Sequence, residues 1–483
     1  MPMIVYHLSQ NDTTIERLNY RTASWQQVKY QGKIGSGGVL KIRRFWQDFP
    51  YPKINEPSRG YHLATHPLFT MLRDVKGNAR GCILTEPLWG IPFFLYAPYV
   101  SVYMLALGVK DSQIGLIVSI GMVFQIVFAL LSGAITDKLG RKRTTFIFDL
   151  LSWSIPALIW AVAQNLNYFL VAAVINSVWR VTHNSWSCLL VEDTDPEILV
   201  DVYSWIYISG LLAAFFAPLA SIFINQFSLV PTVRGLYLFA FVLMTAKFLI
   251  MNGMVTETKQ GLIRMEQTKN QSLFSLLSEY RGVFKQILHT PRTLYTVGVI
   301  LIMSTCWMIN GTFWSIYVTQ KLLIPPQHLA LYPFARSITM LFFFFLVMPR
   351  MRNLNFRNPI LIGLTGYIIS QLILITSPEK GYLTLLVSTL IEAVSYATVS
   401  TLLDKMVVVT VDAQERARIL AIIYVIVILF TSPFGWIAGE LSELNRVLPF
   451  ILNIGFFAVG GGLVVVASRT APDRLQQSAH EVE

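Results

Sequence analysis

The sequence predicts an all-α polytopic membrane protein whose twelve transmembrane helices form two six-helix pseudo-repeats. Three observations carry that reading. The 483 residues are 54% hydrophobic and only 13% charged, whereas a soluble domain carries roughly 25% charged residues. Apolar runs of about 20 residues, long enough to cross a ~30 Å hydrocarbon core as helix, recur along the chain. Basic residues collect in alternate connections between those runs, as expected of a chain threaded through a bilayer.

Taken in order, the spans are expected at 88–109, 113–135, 144–164, 167–190, 202–224, 235–255, 294–317, 327–348, 358–376, 382–406, 417–438 and 447–468. They must be helical, because lipid offers backbone N–H and C=O groups no outside partner. The expected organisation is a tail 1–82, a first six-helix bundle 83–255, a central loop 256–293, a second bundle 294–468 and a C-tail 469–483. With the amino terminus inside, thirty of the 38 Lys and Arg residues fall on the inner side and five on the outer. Both termini are therefore expected to be cytoplasmic. The same distribution accounts for the net charge of +11 without nucleic acid.

Cys82, Cys188 and Cys306 lie far apart, with no disulfide-framework or zinc spacing. The first eighty or so residues contain no continuous apolar run of signal-peptide type, so insertion falls to the first span. The tail is polar and punctuated by Pro and Gly, with a basic and aromatic run Arg43, Arg44, Phe45 and Trp46. It is open to three readings: a regulatory or lipid-surface segment, a disordered extension, or sequence preceding a translation start at Met71. The two halves also echo each other. VINSVWRVTHNSWSCLLVEDTDPEILVDVYSWIY aligns with LIEAVSYATVSTLLDKMVVVTVDAQERARILAIIY, setting Asp193 near Asp412 and Glu197 near Glu415. Duplicated six-helix halves are a common build of secondary carriers.

Between the second and third spans stands Gly133-Ala-Ile-Thr-Asp137-Lys-Leu-Gly140-Arg141-Lys142-Arg143. A tight connection needs glycine where the backbone turns or helices approach, and the basic cluster follows the charge rule. This stretch resembles the G-x-x-x-D-x-x-G-R-[KR] signature loop of the major facilitator superfamily, at the position where that family keeps it. The resemblance implies that Asp137 contacts the start of span 11 in an outward-facing state. It also implies that Arg141 pairs with an acid at the inner end of span 4, where Glu192 and Asp193 stand. The match is incomplete elsewhere. The second-half loop from Pro349 to Arg357 lacks the glycines, and span 5 carries Ala213-x-x-x-Ala217-Pro218 in place of the antiporter-type G-x-x-x-G-P.

In that family spans 1, 4, 7 and 10 line a central cavity, and these four carry the polar or aromatic stripes at helical spacing. Span 4 has Asn176, Arg180, His183, Asn184 and Ser187; span 10 has Ser388, Glu392 and Tyr396; span 7 has Trp307, Asn310, Trp314 and Tyr317; span 1 has Trp89, Phe93, Tyr96, Tyr99 and Tyr103. A charge near mid-bilayer costs about 2.5–3.5 kcal/mol on insertion scales. Arg180 is thus expected to bind an anionic group or gate, and Glu392 to take a proton or cationic group. The structural reading of the same residues is an Arg180–Glu392 pair locking the halves, with Arg336 as a further partner for Glu392. His183 titrates in the range suited to proton coupling or serves as a hydrogen-bonded member of its stripe. Lys247 and Asp149 snorkel or pair, and the aromatic stripes fit packing as well as binding.

The Gly35-Ser-Gly-Gly38 run lacks the Lys-Ser/Thr of a phosphate loop, and no metalloprotease or nucleophile-elbow motif is present. Primary ATP-driven transport and enzyme chemistry are therefore not expected. The resemblance implies a secondary carrier moving a small organic solute by alternating access, with proton-coupled export ahead of uptake of a sugar, peptide or organic acid. A non-transporting sensor or scaffold on the same fold is the alternative of another class. The expected protein is a plasma-membrane monomer without cofactor, metal or nucleic acid, whose partners are its small-molecule substrate, membrane lipid and protons.

Overall fold

The computed structural model describes residues 5–9, 12–19, 24–29, 75–195, 198–270, 291–347, 357–410 and 416–469. Two compact units are present, Met1–His62 and Leu63–Glu483. In the first, β1 (Val5–Ser9), β2 (Asp12–Asn19) and β3 (Ser24–Lys29) form an antiparallel meander, with Tyr6 opposite Ile15 and Ile15 opposite Val28. Alternating Val, Ile, Thr and aromatic residues suit such a pleated ladder. The tail thus contains a small sheet that its polar composition did not announce. Met71, Glu197, Asp412, Glu415, the 348–356 connection and the C-tail beyond residue 469 lie outside the described residues.

The second unit is helical. Among the described residues, eleven helices are long and apolar enough to cross a membrane. Span 1 is Gly77–Ala106, span 2 Asp111–Leu139, span 3 Arg141–Ala161, span 5 Leu199–Phe227 and span 6 Leu229–Met254. Span 7 is Pro291–Gln320, span 8 Pro326–Val347, span 9 Arg357–Thr376, span 10 Tyr382–Thr410, span 11 Arg416–Leu444 and span 12 Leu448–Arg469. The twelfth crossing, span 4, is split at Ser177 and Val178 into Leu166–Asn176 and Trp179–Val191. Neither piece alone is long enough to cross a bilayer.

Span 1 starts at Gly77 rather than near residue 88, so Glu86 and Pro87 sit inside the helix instead of before it. Pairing of Glu86 with Lys247 at 3.1 Å makes that extension tolerable in a low-dielectric interior. A 3-10 turn at Ala97–Tyr99 breaks span 1 at Pro98, where the ring removes a backbone donor. Span 3 carries a π-helical turn at Leu150–Ser154. Such a turn shifts the hydrogen-bond ladder, and Asn176 Nδ2 donates to the Ser152 carbonyl at 2.7 Å.

Spans 1–6 and 7–12 form two halves that meet along spans 2 and 11. Close approach there depends on glycine: a Cβ on Gly439 would come to 2.9 Å from the Asp111 carbonyl and 3.0 Å from Gly115 Cα. This is the small-residue contact that lets membrane helices pack backbone to backbone. Hydrogen bonds then fasten the seam. Asp111 accepts from Ser442 Oγ at 2.7 Å and Arg446 Nε at 3.2 Å, and the Trp436 backbone N–H donates to Ser119 Oγ at 2.7 Å. These contacts lie at what we term the Asp111 end of the bundle; the signature loop marks the opposite, Asp137 end. Large apolar side chains on the outer surface, including Ile362 at 70% and Leu383 at 72% exposure, face the lipid that the composition demanded.

Candidate functional site

Between the halves, nearer the Asp111 end, lies a cavity of about 440 Å³. Its wall is largely aromatic and apolar, with Phe93 and Tyr96 from span 1, Trp307 and Trp314 from span 7 and Tyr332 from span 8. Two polar features interrupt it. Arg336 Nη1 of span 8 pairs with Glu392 Oε1 of span 10 at 3.3 Å, and its guanidinium lies 5.0 Å from the Tyr396 ring centroid. The pair is only partly screened, with side chains 26% and 15% exposed, so cavity water or solute reaches it.

The second feature is an amide cluster. Asn310 Oδ1 of span 7 accepts from Asn453 Nδ2 of span 12 at 3.0 Å and Gln371 Nε2 of span 9 at 3.5 Å. Gln371 lines the cavity yet is 2% exposed, and among the described residues its Oε1 and the Asn453 Oδ1 have no hydrogen-bond partner. A buried acceptor without a donor is costly, so an N–H or O–H group placed in this corner would gain a hydrogen bond.

Of the residues expected along the solute route, Tyr96, Trp307, Asn310, Arg336 and Glu392 share this cavity, with Tyr396 below Arg336. Span 4 does not contribute to its lining; spans 8 and 9 do. The polar stripe of span 4 is instead engaged by its neighbours within the first half. Besides the Asn176 bond to span 3, Arg180 Nε donates to Gln125 Oε1 at 3.0 Å and its guanidinium stacks 4.0 Å from the Trp179 ring centroid. Thr182 Oγ1 donates to Asp149 Oδ1 at 2.7 Å. His183 is exposed, with its ring edge-on to Trp179 at 5.6 Å. The expected Arg180–Glu392 lock is therefore not formed: Glu392 takes the Arg336 of its own half. Across the halves, Arg180 interacts electrostatically with Tyr424 of span 11.

At the Asp137 end the signature loop folds into a dense ionic network. Gly140 adopts a φ of +86°, and a Cβ there would press on Glu257 and on Met265 Sδ at 2.7 Å. Glycine alone accommodates both the left-handed backbone and the approach. Arg141 binds Glu192 in a fork, Nε to Oε2 at 3.0 Å and Nη2 to Oε1 at 3.0 Å, while Nη1 reaches Asp137 Oδ1 at 3.0 Å. Glu257 accepts the backbone N–H groups of Arg141 at 2.8 Å and Lys142 at 3.0 Å, capping span 3 at its positive dipole end.

The former central loop supplies more of this network. A helix, Lys259–Thr268, is capped by Thr258 Oγ1 accepting from the Gly261 N–H at 2.9 Å. Its Arg264 grips Asp137 Oδ2 through Nη2 at 2.7 Å and Nε at 3.0 Å. Asp193 accepts from the Lys259 N–H at 3.4 Å. Among the described residues Asp137 thus faces Arg264 and Arg141. Gly133 is half-buried within span 2, and Arg143 is exposed in the first turn of span 3.

Glu257, Arg264, Glu86 and Gln371 were missed in the sequence. Thr258 followed by Leu262, Ile263 and Met265 at helical spacing is a cap-and-stripe signal that could have marked the Lys259–Thr268 helix. No comparable local signal marks Gln371, whose role comes from two other spans.

The family model described as Major Facilitator Superfamily matches residues 88–427. No curated protein matches the chain in sequence. Among solved structures, the nucleoside transporter NupG aligns at 15% identity and a TM-score of 0.61, covering 81% of this chain and 98% of that one. A POT family transporter in complex with 5-aminolevulinic acid aligns at 13% identity and a TM-score of 0.63, covering 83% and 99%. A bacterial homolog to the human lysosomal transporter Spinster, in an inward-facing and unoccupied conformation, aligns at 11% identity and a TM-score of 0.61, covering 84% and 98%. At these identities the likeness is one of fold.

Proposed function

The chain belongs to the Major Facilitator Superfamily of membrane transporters, and from that premise we propose that it carries a small organic solute by alternating access, as a proton-coupled exporter of the plasma membrane. The observation that supports this reading is the cavity between the halves, with an Arg336–Glu392 pair and unpaired amide acceptors set in an aromatic wall. Aromatic faces hold a planar or apolar body; the ion pair and the amides select its polar groups. A solute with hydrogen-bond donors and an ionised group fits all three. Glu392 takes a proton or a cationic group when it parts from Arg336.

With both termini cytoplasmic, as the basic residues favour, the Asp111 end is the outer end. The Gly115–Gly439 seam then closes the cavity to the outside, and the conformation is inward-facing. Rocking of the halves about the cavity would open that seam. Asp137, released from Arg264, becomes free to meet span 11. Arg180, which has Gln125 and Trp179 as neighbours and Tyr424 across the gap, serves as a gate between the cavity and the Asp137 end.

A thermal-shift screen of purified protein against a solute panel tests the assignment, followed by flux of the hits in proteoliposomes. Glu392→Gln is expected to abolish hit-induced stabilisation and flux while leaving the unliganded melting temperature nearly unchanged. Arg180→Ala is expected to abolish flux but retain binding. If Glu392→Gln transports like the parent, the cavity is not the solute site. If no solute moves under any gradient, the sensor reading replaces the carrier. Uptake against a proton gradient, rather than efflux, would reverse the assigned direction.

A further inference from the structure

A second buried charge cluster lies in the first half, away from the cavity. Lys247 Nζ of span 6 stands 3.1 Å from Glu86 Oε2 of span 1, with side chains 6% and 15% exposed. Asp149 of span 3 is 5% exposed, interacts electrostatically with both, and accepts the Thr182 hydroxyl of span 4 at 2.7 Å. Among the described residues Asp149 has no cation within ion-pair distance. The other groups facing the cluster are the buried Cys82 thiol of span 1, the Trp186 ring of span 4 at 5.9 Å from Lys247 Nζ and the Phe248 ring of span 6 at 5.7 Å. Span 5 brings the apolar Ile206 to the same core.

Two carboxylates therefore share one ammonium in a site without open water. Left fully ionised, the cluster holds an uncompensated buried negative charge. Taking up one proton at neutral pH costs less than keeping such a charge in low dielectric. We propose that Glu86, Lys247 and Asp149 form a proton-binding site within the first half, separate from the cavity, that holds one proton between its two carboxylates. The geometry gives the proton to Asp149, because Glu86 already has the ammonium. Asp149 Oδ1 is occupied by the Thr182 hydroxyl, so Oδ2 gains the O–H bond and the carboxylate charge is neutralised; no other bond forms or breaks. When the proton leaves, Lys247 lies between two anions and its pull on span 1 relaxes toward span 3.

The position suits exchange with one side of the membrane. Glu86 is nine residues from the start of its helix, Lys247 seven from the end of its own and Asp149 eight from Arg141. At 1.5 Å per residue this puts the cluster roughly 10–14 Å in from the Asp137 end. The same span 1 continues from Glu86 to Phe93 and Tyr96 in the cavity wall, and Thr182 is two residues from Arg180. Proton exchange here moves the elements that face the solute. Its use as the coupling site rests on the transport reading above; its occupancy does not.

Infrared spectroscopy of the purified full chain in lipid nanodiscs reads the proton without any solute. At neutral pH the parent is expected to show a protonated-carboxyl C=O band that shifts in D2O. Glu86→Gln and Asp149→Asn should each remove the band, since either leaves one carboxylate for one ammonium, and Lys247→Met should enlarge it. Glu392→Gln should leave it in place. A parent with no such band overturns the proposal even if the variants fail to fold. So does a band that survives both substitutions, or one that a single substitution alone removes. An intact band in a protein that moves no solute would instead refute the carrier reading and spare the proton site.

Discussion

The two six-helix halves use their buried charges in opposite ways. In the first half, Arg141 is bound to Glu192 and to Asp137 through contacts of 3.0 Å that bind helix to helix inside a single bundle. In the second half the Arg336–Glu392 pair lies on the cavity wall, longer at 3.3 Å and more exposed on its arginine. The Arg141 side chain is 5% exposed against 26% for Arg336. A buried pair whose remaining donors are all satisfied is scaffold. One that faces a cavity with a carboxylate only loosely held can exchange partners. The difference teaches that charge within a span does not by itself mark the solute route; what surrounds the charge decides.

Substitutions can break that contrast, and the largest effect is expected in the first half. Arg141→Ala removes a buried guanidinium from the half-buried Glu192 and Asp137 and should cost about 3–5 kcal/mol, read as a lowered unfolding midpoint in nanodiscs. Arg336→Ala should change that midpoint far less; equal losses would erase the distinction between the halves. Its effect should appear in binding, as a weakening of about 1.5–3 kcal/mol, typical of a lost charge-assisted hydrogen bond, in the affinity of whichever solute the panel yields.

The seam is expected to respond next. A Cβ on Gly435 would meet Ser119 Oγ at 2.7 Å and the Gly115 carbonyl at 3.0 Å. Gly435→Val should therefore overpack the contact by about 1–3 kcal/mol. A Ser112→Cys/Glu443→Cys crosslink, built on a pair of positions already hydrogen-bonded at 3.3 Å, should form in the parent background and decline in the glycine variant. Unchanged crosslinking would mean that glycine is not what holds the seam. The smallest effect belongs to Arg264→Ala. Its side chain is 35% exposed, and a solvent-screened pair contributes about 0–1 kcal/mol. A destabilisation as large as that of Arg141→Ala would show the Lys259–Thr268 helix to be integral to the bundle instead of laid against it.

Much of the fold was legible because bilayer thickness and backbone hydrogen bonding impose length and helicity on each span independently. The twelve crossings followed from apolar runs, and the Gly133–Arg143 loop was recognisable because a tight turn and a close approach demand glycine at fixed places. Span 1 runs beyond its apolar stretch because Glu86, which interrupts that stretch, is neutralised by Lys247, 161 residues away. The candidate site was legible only in part. Trp307, Asn310, Glu392 and Tyr96 carried a stripe signal, and they line the cavity. Asn176 and Arg180 carried an equal signal and are engaged by Ser152 and Gln125 of adjoining spans.

The sequence by itself determined that the chain lives in a membrane, how many times it crosses, and which loop bears the family's signature. These are properties of single segments facing lipid or water. Tertiary structure alone decided which of two arginines meets Glu392, that Glu257 caps span 3, and that Gln371 and Asn453 leave acceptors open beside the cavity. The physical reason is that partnership between buried polar groups depends on which helices are neighbours and how they are rotated, and no spacing within one helix encodes either.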